Sequence, residues 1–115
     1  MDINVKKQHE VAIVGLTGSL DVSVQQVFKD KLVTASHAHE NDVVLDFSQV
    51  TFIDSSCLGT LVSLAKNLRE NKGDIKLSNL RDDVRSIFQI TRLDRVFEIF
   101  ENNEEAVDSF YKKTH

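Results

Sequence analysis

The stretch from Val43 to Leu68 limits the possible folds most, because its hydrophobic rhythm changes once and the change falls on three polar residues. Val43-Val44-Leu45-Asp46-Phe47 is a short apolar run that predicts a buried strand over 43–47. After Phe52-Ile53 the chain reads Asp54-Ser55-Ser56, and then Leu58, Leu61, Val62, Ala65 and Leu68 recur at helical spacing. That spacing predicts a helix over about 55–71, closed by Asn71-Lys72-Gly73, where a residue able to take positive φ ends the last turn. A strand that feeds a helix through a polar step is the repeating unit of parallel α/β sheets.

The remainder of the chain has the same alternation. Residues 2–7 and 10–17 read as two strands joined by a tight turn near Gln8-His9. Thr17-Gly18-Ser19-Leu20-Asp21 breaks the pattern, and Val24, Val27, Phe28, Leu32 and Ala35 then mark a helix over roughly 22–38. Ile75 and Leu77 alternate in a strand from Asp74 to Asn79, Val84, Ile87 and Phe88 mark a third helix, and Val96 to Phe100 reads as a short strand. A last helix carries Ala106, Val107, Phe110 and Tyr111. The order β-β-α-β-α-β-α-β-α predicts an α/β single domain over residues 1–115, with a mixed sheet of four or five strands and about four helices largely on one side. In such sheets functional groups gather where strands end and helices begin. Two places qualify: Gly18 to Asp21, and Asp54 to Gly59.

Composition narrows the function classes. The chain has 115 residues, 41% hydrophobic and 28% charged, which suits one packed core. Its apolar runs are far shorter than the ~20 residues of a membrane-crossing helix, and its alternating start is no signal-peptide core, so a cytoplasmic protein is expected without membrane insertion. A net charge of −4, with no basic stretch interleaved with aromatics, argues against direct nucleic-acid binding. The single Cys57 excludes an internal disulfide and a cysteine-cluster metal site. His9, His37, His39 and His115 are scattered and suggest no metal centre.

Asp54, Ser55 and Ser56 place a carboxylate and two hydroxyls at a helix N-terminus, where free N–H groups and the positive dipole end favour anions. One capping residue would satisfy that helix start; three polar residues also suit a phosphate site. Neither serine has glycine two positions earlier, and no histidine follows in a strand-end loop near the helix, so nucleophilic hydrolysis is not indicated. With four glycines and no phosphate-binding loop, a nucleotide enzyme is not indicated either, and no cofactor is expected. Cys57 reads as a small residue of the first turn rather than a reactive thiol. Asp21 reads either as a helix cap or as a neighbour of the Asp54 loop across adjacent strands. Glu101, Glu104 and Glu105 complement the last helix's dipole, and Lys66, Arg69 and Lys72 read as a solvated helix face.

Four segments together resemble the STAS domain of bacterial anti-sigma factor antagonists. They are Leu16 to Asp21, Val44 to Ser56, Cys57-Leu58-Gly59 (against the family's usual Gly-Leu-Gly) and Ile90 to Phe97. The resemblance implies a switch and not an enzyme. The unphosphorylated antagonist would bind an anti-sigma factor with serine kinase activity and so free a sigma factor. That kinase would phosphorylate the serine directly after the loop aspartate, here Ser55, and a serine phosphatase would reverse the reaction. Gly18, Asp21, Asp54, Ser55, Ser56, Cys57 and Leu58 would form the partner surface, with Cys57 the departure from the family pattern. The alternative within the same fold is a STAS adaptor subunit of a lipid-transport or signalling assembly.

Overall fold

The computed structural model describes residues 2–8, 10–38 and 42–112, and only the backbone of 35–38 and 112. Its elements are β1 (Asp2–Gln8), β2 (Val11–Leu20), α1 (Gln25–Ala38), β3 (Asp42–Ile53), α2 (Ser55–Glu70), β4 (Asp74–Ser78) and α3 (Asp82–Ile90). A 3-10 turn (Leu93–Arg95) follows, then β5 (Ile99–Phe100) and α4 (Asn103–Lys112). His9, in the turn expected from sequence, and His39 and His115 lie outside the described residues, as does the side chain of His37.

The five strands form one sheet in the order β1-β2-β3-β4-β5. β1 runs antiparallel to β2, and every other neighbouring pair is parallel. The predicted mixed α/β sheet is therefore what the chain builds. Two strands run longer than predicted: β2 continues to Leu20 and β3 to Ile53. Ser48-Gln49 and Thr17 looked like breaks because they are polar. In the structure the ladder passes through them with two register shifts, at Gly15/Thr17 and Gly18/Ser19, and it buries Val50, Ile53 and Leu20 beyond them. Gly18 takes φ 105° at the second shift, a conformation that glycine adopts without steric cost. β4 pairs with β3 only as far as Asp46↔Ser78, so the last seven residues of β3 reach past it, paired with β2 alone.

One face of the sheet carries the main core. Phe28 and Leu32 of α1, Leu58, Leu61, Leu64, Ala65 and Leu68 of α2, and Val84 and Phe88 of α3 close over Val14, Leu16, Val43, Leu45 and Phe47. Phe88 sits edge-on between Phe47 and Phe97, with ring centroids 6.0 and 6.1 Å away. α4 alone covers the other face, packing Ala106, Val107 and Phe110 on Val11, Ile13 and Val44. Three of the four helices thus share a side.

The position of α4 explains a buried charge that strand alternation would assign to solvent. Lys76, between the inward-facing Ile75 and Leu77, is 0% exposed beneath α4. Its ammonium donates to Ser109 Oγ at 2.7 Å, faces the Glu98 carboxylate at 3.5 Å and lies 4.5 Å from the centre of the Phe110 ring. Arg69 is exposed, as expected of a solvated helix face, and its guanidinium also reaches neighbouring groups. It pairs with Asp74 at 2.8 Å and donates to the Val96 carbonyl at 2.6 Å.

Candidate functional site

The site is built where β2 and β3 end side by side. The last ladder partners are Leu20 and Ile53, and the Asp54 N–H donates to the Leu20 carbonyl at 3.0 Å. The two loops that leave these strands therefore start within hydrogen-bonding reach of each other, as the functional reading of Asp21 requires.

Asp54 is the N-cap of α2. Its Oδ1 accepts from the Ser56 N–H at 3.0 Å, the Cys57 N–H at 3.1 Å and the Ser56 hydroxyl at 2.6 Å. Its Oδ2 accepts from the Val22 N–H at 2.8 Å, in the loop before α1. One carboxylate thus satisfies the helix start and ties the neighbouring loop to it. The Ser56 hydroxyl, first among these donors, and the three N–H groups hold the Asp54 carboxyl below its usual range, with desolvation opposing.

The first helix starts at Gln25, three residues later than predicted, because Val22 to Val24 form a turn: the Val24 N–H donates to the Asp21 carbonyl at 3.0 Å. Asp21 caps that turn. Its Oδ1 accepts from the Ser23 N–H at 3.0 Å and from the Ser23 hydroxyl. No described Lys or Arg forms an ion pair with Asp21 or Asp54.

The two serines differ. The Ser56 hydroxyl is committed to Asp54 and half-buried. Ser55 is exposed, and its hydroxyl makes no hydrogen bond among the described residues. It stands at the first position of α2, at the positive end of the helix dipole. The exposed Val22 and Phe52 flank this end of the sheet, at 73% and 46% accessibility. Neither residue was singled out from sequence, since an apolar residue in a strand or helix start reads as core.

Cys57 and Leu58 face inward, 0% and 6% exposed, so their side chains belong to the core and not to an outer surface. The Cys57 Sγ lies 3.6 Å from the Asp21 carbonyl. Desolvation pushes its thiol up, a hydrogen bond with Ser56 opposes this, and the charges of Asp54 and Asp21 push it further up. Its burial and raised pKa fit a structural residue of the first turn. Gly18 shapes the approach of β2 to the site. Among the described residues, no group of three or more His, Cys, Asp or Glu is placed to hold a metal ion, and no helix is long and apolar enough to cross a membrane.

The site is thus a strand-end loop with a carboxylate cap and an exposed serine, set on a mixed five-stranded sheet. The STAS domain family matches residues 2–106. The anti-sigma-B factor antagonist of Bacillus subtilis is 33% identical over 109 residues, which is 93% of this chain and 99% of that protein. The crystal structure of a Thermotoga maritima protein assigned as an anti-sigma factor antagonist superposes with a TM-score of 0.87 at 25% identity, covering 93% of this chain and 92% of the other. The Bacillus cell fate determinant SpoIIAA in its phosphorylated form shares the fold, with a TM-score of 0.70 at 23% identity over 95% and 99% of the two chains. The chain belongs to the STAS domain family of anti-sigma factor antagonists.

Proposed function

We propose that this protein is a phosphorylation-controlled anti-sigma factor antagonist. Its unphosphorylated form binds an anti-sigma factor that is also a serine kinase, and a sigma factor is thereby released. Transfer of the ATP γ-phosphoryl group to Ser55 Oγ ends the association, and a serine phosphatase restores it. The observation that carries the reading is the difference between the two serines: Ser55 is exposed with an uncommitted hydroxyl, while Asp54 holds the Ser56 hydroxyl.

The chemistry supports a switch at the interface and not within the fold. A phosphoserine adds about −1.5 to −2 charge near neutral pH. At the first position of α2 that charge meets the helix dipole, which tolerates it. Across a packed interface the same group must lose water beside Asp54 and Asp21, neither of which has a cationic partner among the described residues. A loss of about 1–3 kcal/mol of binding weakens association some 5- to 150-fold.

Incubation with the cognate anti-sigma kinase and ATP should add one phosphate, located on Ser55 by fragmentation mass spectrometry. Ser55→Ala should abolish the gain, and Ser55→Asp should weaken the complex within the range above. Phosphate on neither Ser55 nor Ser56 would refute the proposal.

A further inference from the structure

We infer that the groove between α1 and α2 is a second part of the partner surface, shaped to receive one helix of the anti-sigma factor that presents small apolar side chains and a carboxylate. This rests on the switch function proposed above and extends the same site away from Ser55.

The groove has a volume of about 370 Å³ and begins at Ser56, the neighbour of the phosphoacceptor. Leu32 and Leu64 form its floor, and Lys29 of α1 stands in its wall. The upper end is fixed in shape. The Gln25 amide donates to Thr60 Oγ1 at 2.9 Å, and that hydroxyl donates to the Ser56 carbonyl at 3.1 Å, which clamps the two helices together next to the switch loop.

Gly59 is the telling residue. It lies inside α2 with an ordinary helical backbone, where glycine is disfavoured relative to alanine. A Cβ built on it meets no atom within 4 Å. The fold therefore gains nothing from glycine here: no positive φ requires it and no neighbour crowds it. What the missing side chain provides is space outside the protein, directly in the groove. A second backbone can approach α2 closely at that point, which suits a helix laid into a helix-lined groove.

The charge pattern selects the occupant. Lys29 is exposed and makes no ion pair among the described residues, and no acidic residue lines the groove. An incoming helix with a carboxylate facing Lys29 supplies the missing partner, and short apolar side chains fill the space over Leu32 and Leu64. Because Ser56 belongs to both the groove and the Asp54 network, a partner seated here lies alongside Ser55.

The test uses titration calorimetry against the anti-sigma kinase that phosphorylates Ser55, with wild type, Gly59→Gln, Lys29→Glu and Ser55→Asp. Gly59→Gln fills the groove with a good helix former, so its thermal midpoint should equal or exceed that of wild type while affinity falls at least about tenfold. Lys29→Glu should weaken binding at least about fivefold, most strongly at low salt. If both groove variants bind like wild type while Ser55→Asp does not, the groove proposal is overturned and the switch stands. If no variant or wild type binds or is phosphorylated, both readings fall together. If sedimentation shows a wild-type dimer that Gly59→Gln separates, the occupant is a second copy of this chain and the proposal is again overturned.

Discussion

Asp54 does with two oxygens what a simple N-cap does with one. Oδ1 takes the helix-start donors and the Ser56 hydroxyl, while Oδ2 holds Val22 in the adjacent loop. The Asp-Ser-Ser step was legible as an anion-suited helix start because capping chemistry is local and short-range. Which serine is free was not legible, since that depends on a rotamer within the folded loop. Cys57 was legible as a small residue of the first turn and not as a reactive thiol, but its complete burial follows from how α2 sits on the sheet. Its burial and raised thiol pKa have a measurable result. The iodoacetamide rate of the native protein should be well below that of the urea-unfolded chain at pH 8, and it should keep rising to higher pH. A native rate that levels off below pH 7 would instead reveal an activated thiolate.

Helix α2 ends within the segment that the sequence marks as its stop, and the structure shows which residue there takes the positive φ. Of Asn71-Lys72-Gly73, read as a stop with a residue able to take positive φ, it is Lys72 that takes the left-handed conformation, at φ 67°. The Gly73 N–H reaches back to the Leu68 carbonyl at 2.7 Å and the Lys72 N–H to Arg69 at 3.3 Å, the paired bonds of a Schellman motif. That geometry puts the positive φ one position after the Asn71 C-cap, whichever side chain stands there. A lysine in this region bears a steric cost of about 1–2 kcal/mol. Lys72→Gly should therefore raise stability by roughly 1 kcal/mol in urea unfolding, and no gain would show that local contacts of Lys72 offset the strain. Strand lengths were misread. Polar residues at the register shifts of β2 and β3 look like ends in one dimension, whereas the neighbouring strand carries the ladder through them.

For the whole molecule, element order and sheet type followed from periodicity, whereas the meeting of the two strand-end loops was left open for Asp21 and is decided by the pairing of β2 with β3. The buried Lys76 did not follow from periodicity either, because it depends on α4 crossing to the second face and covering a position that would otherwise be wet. A second polar network fastens the start of α4. Burial opposes ionisation of Asp46, yet hydrogen bonds from the Ser48 N–H, the Asn103 amide, the Ser48 hydroxyl and the Asn79 amide outweigh it and lower its pKa. A depressed carboxyl contributes stability that is complete above the unfolded value, about 3.9, and is lost as pH falls through the lower folded value. Asp54 acts in the same direction but is more open to solvent, so Asp46 should carry more of the effect. The urea midpoint should hold steady from pH 7 to about 5 as far as these groups decide it, then decline below about 4. Asp46→Asn should flatten that decline; an unchanged acid slope would assign the effect to other carboxylates.

The overreach of β3 beyond β4 has a consequence for docking. Seven residues leading to Asp54 are paired with a strand on one side only, so Ser55, the proposed phosphoacceptor, stands at the end of a two-strand ribbon that leaves the wider sheet at Asp46 and is held from one face by the helices over Phe47, Val50 and Ile53. A partner that docks at Ser55 therefore meets the ends of β2 and β3 and the start of α2 before any other strand of the sheet. The strands β1, β4 and β5 and the helix α4 lie to the side of this ribbon, so the docking end of the molecule is set by the β2–β3 pair and the helices packed on it.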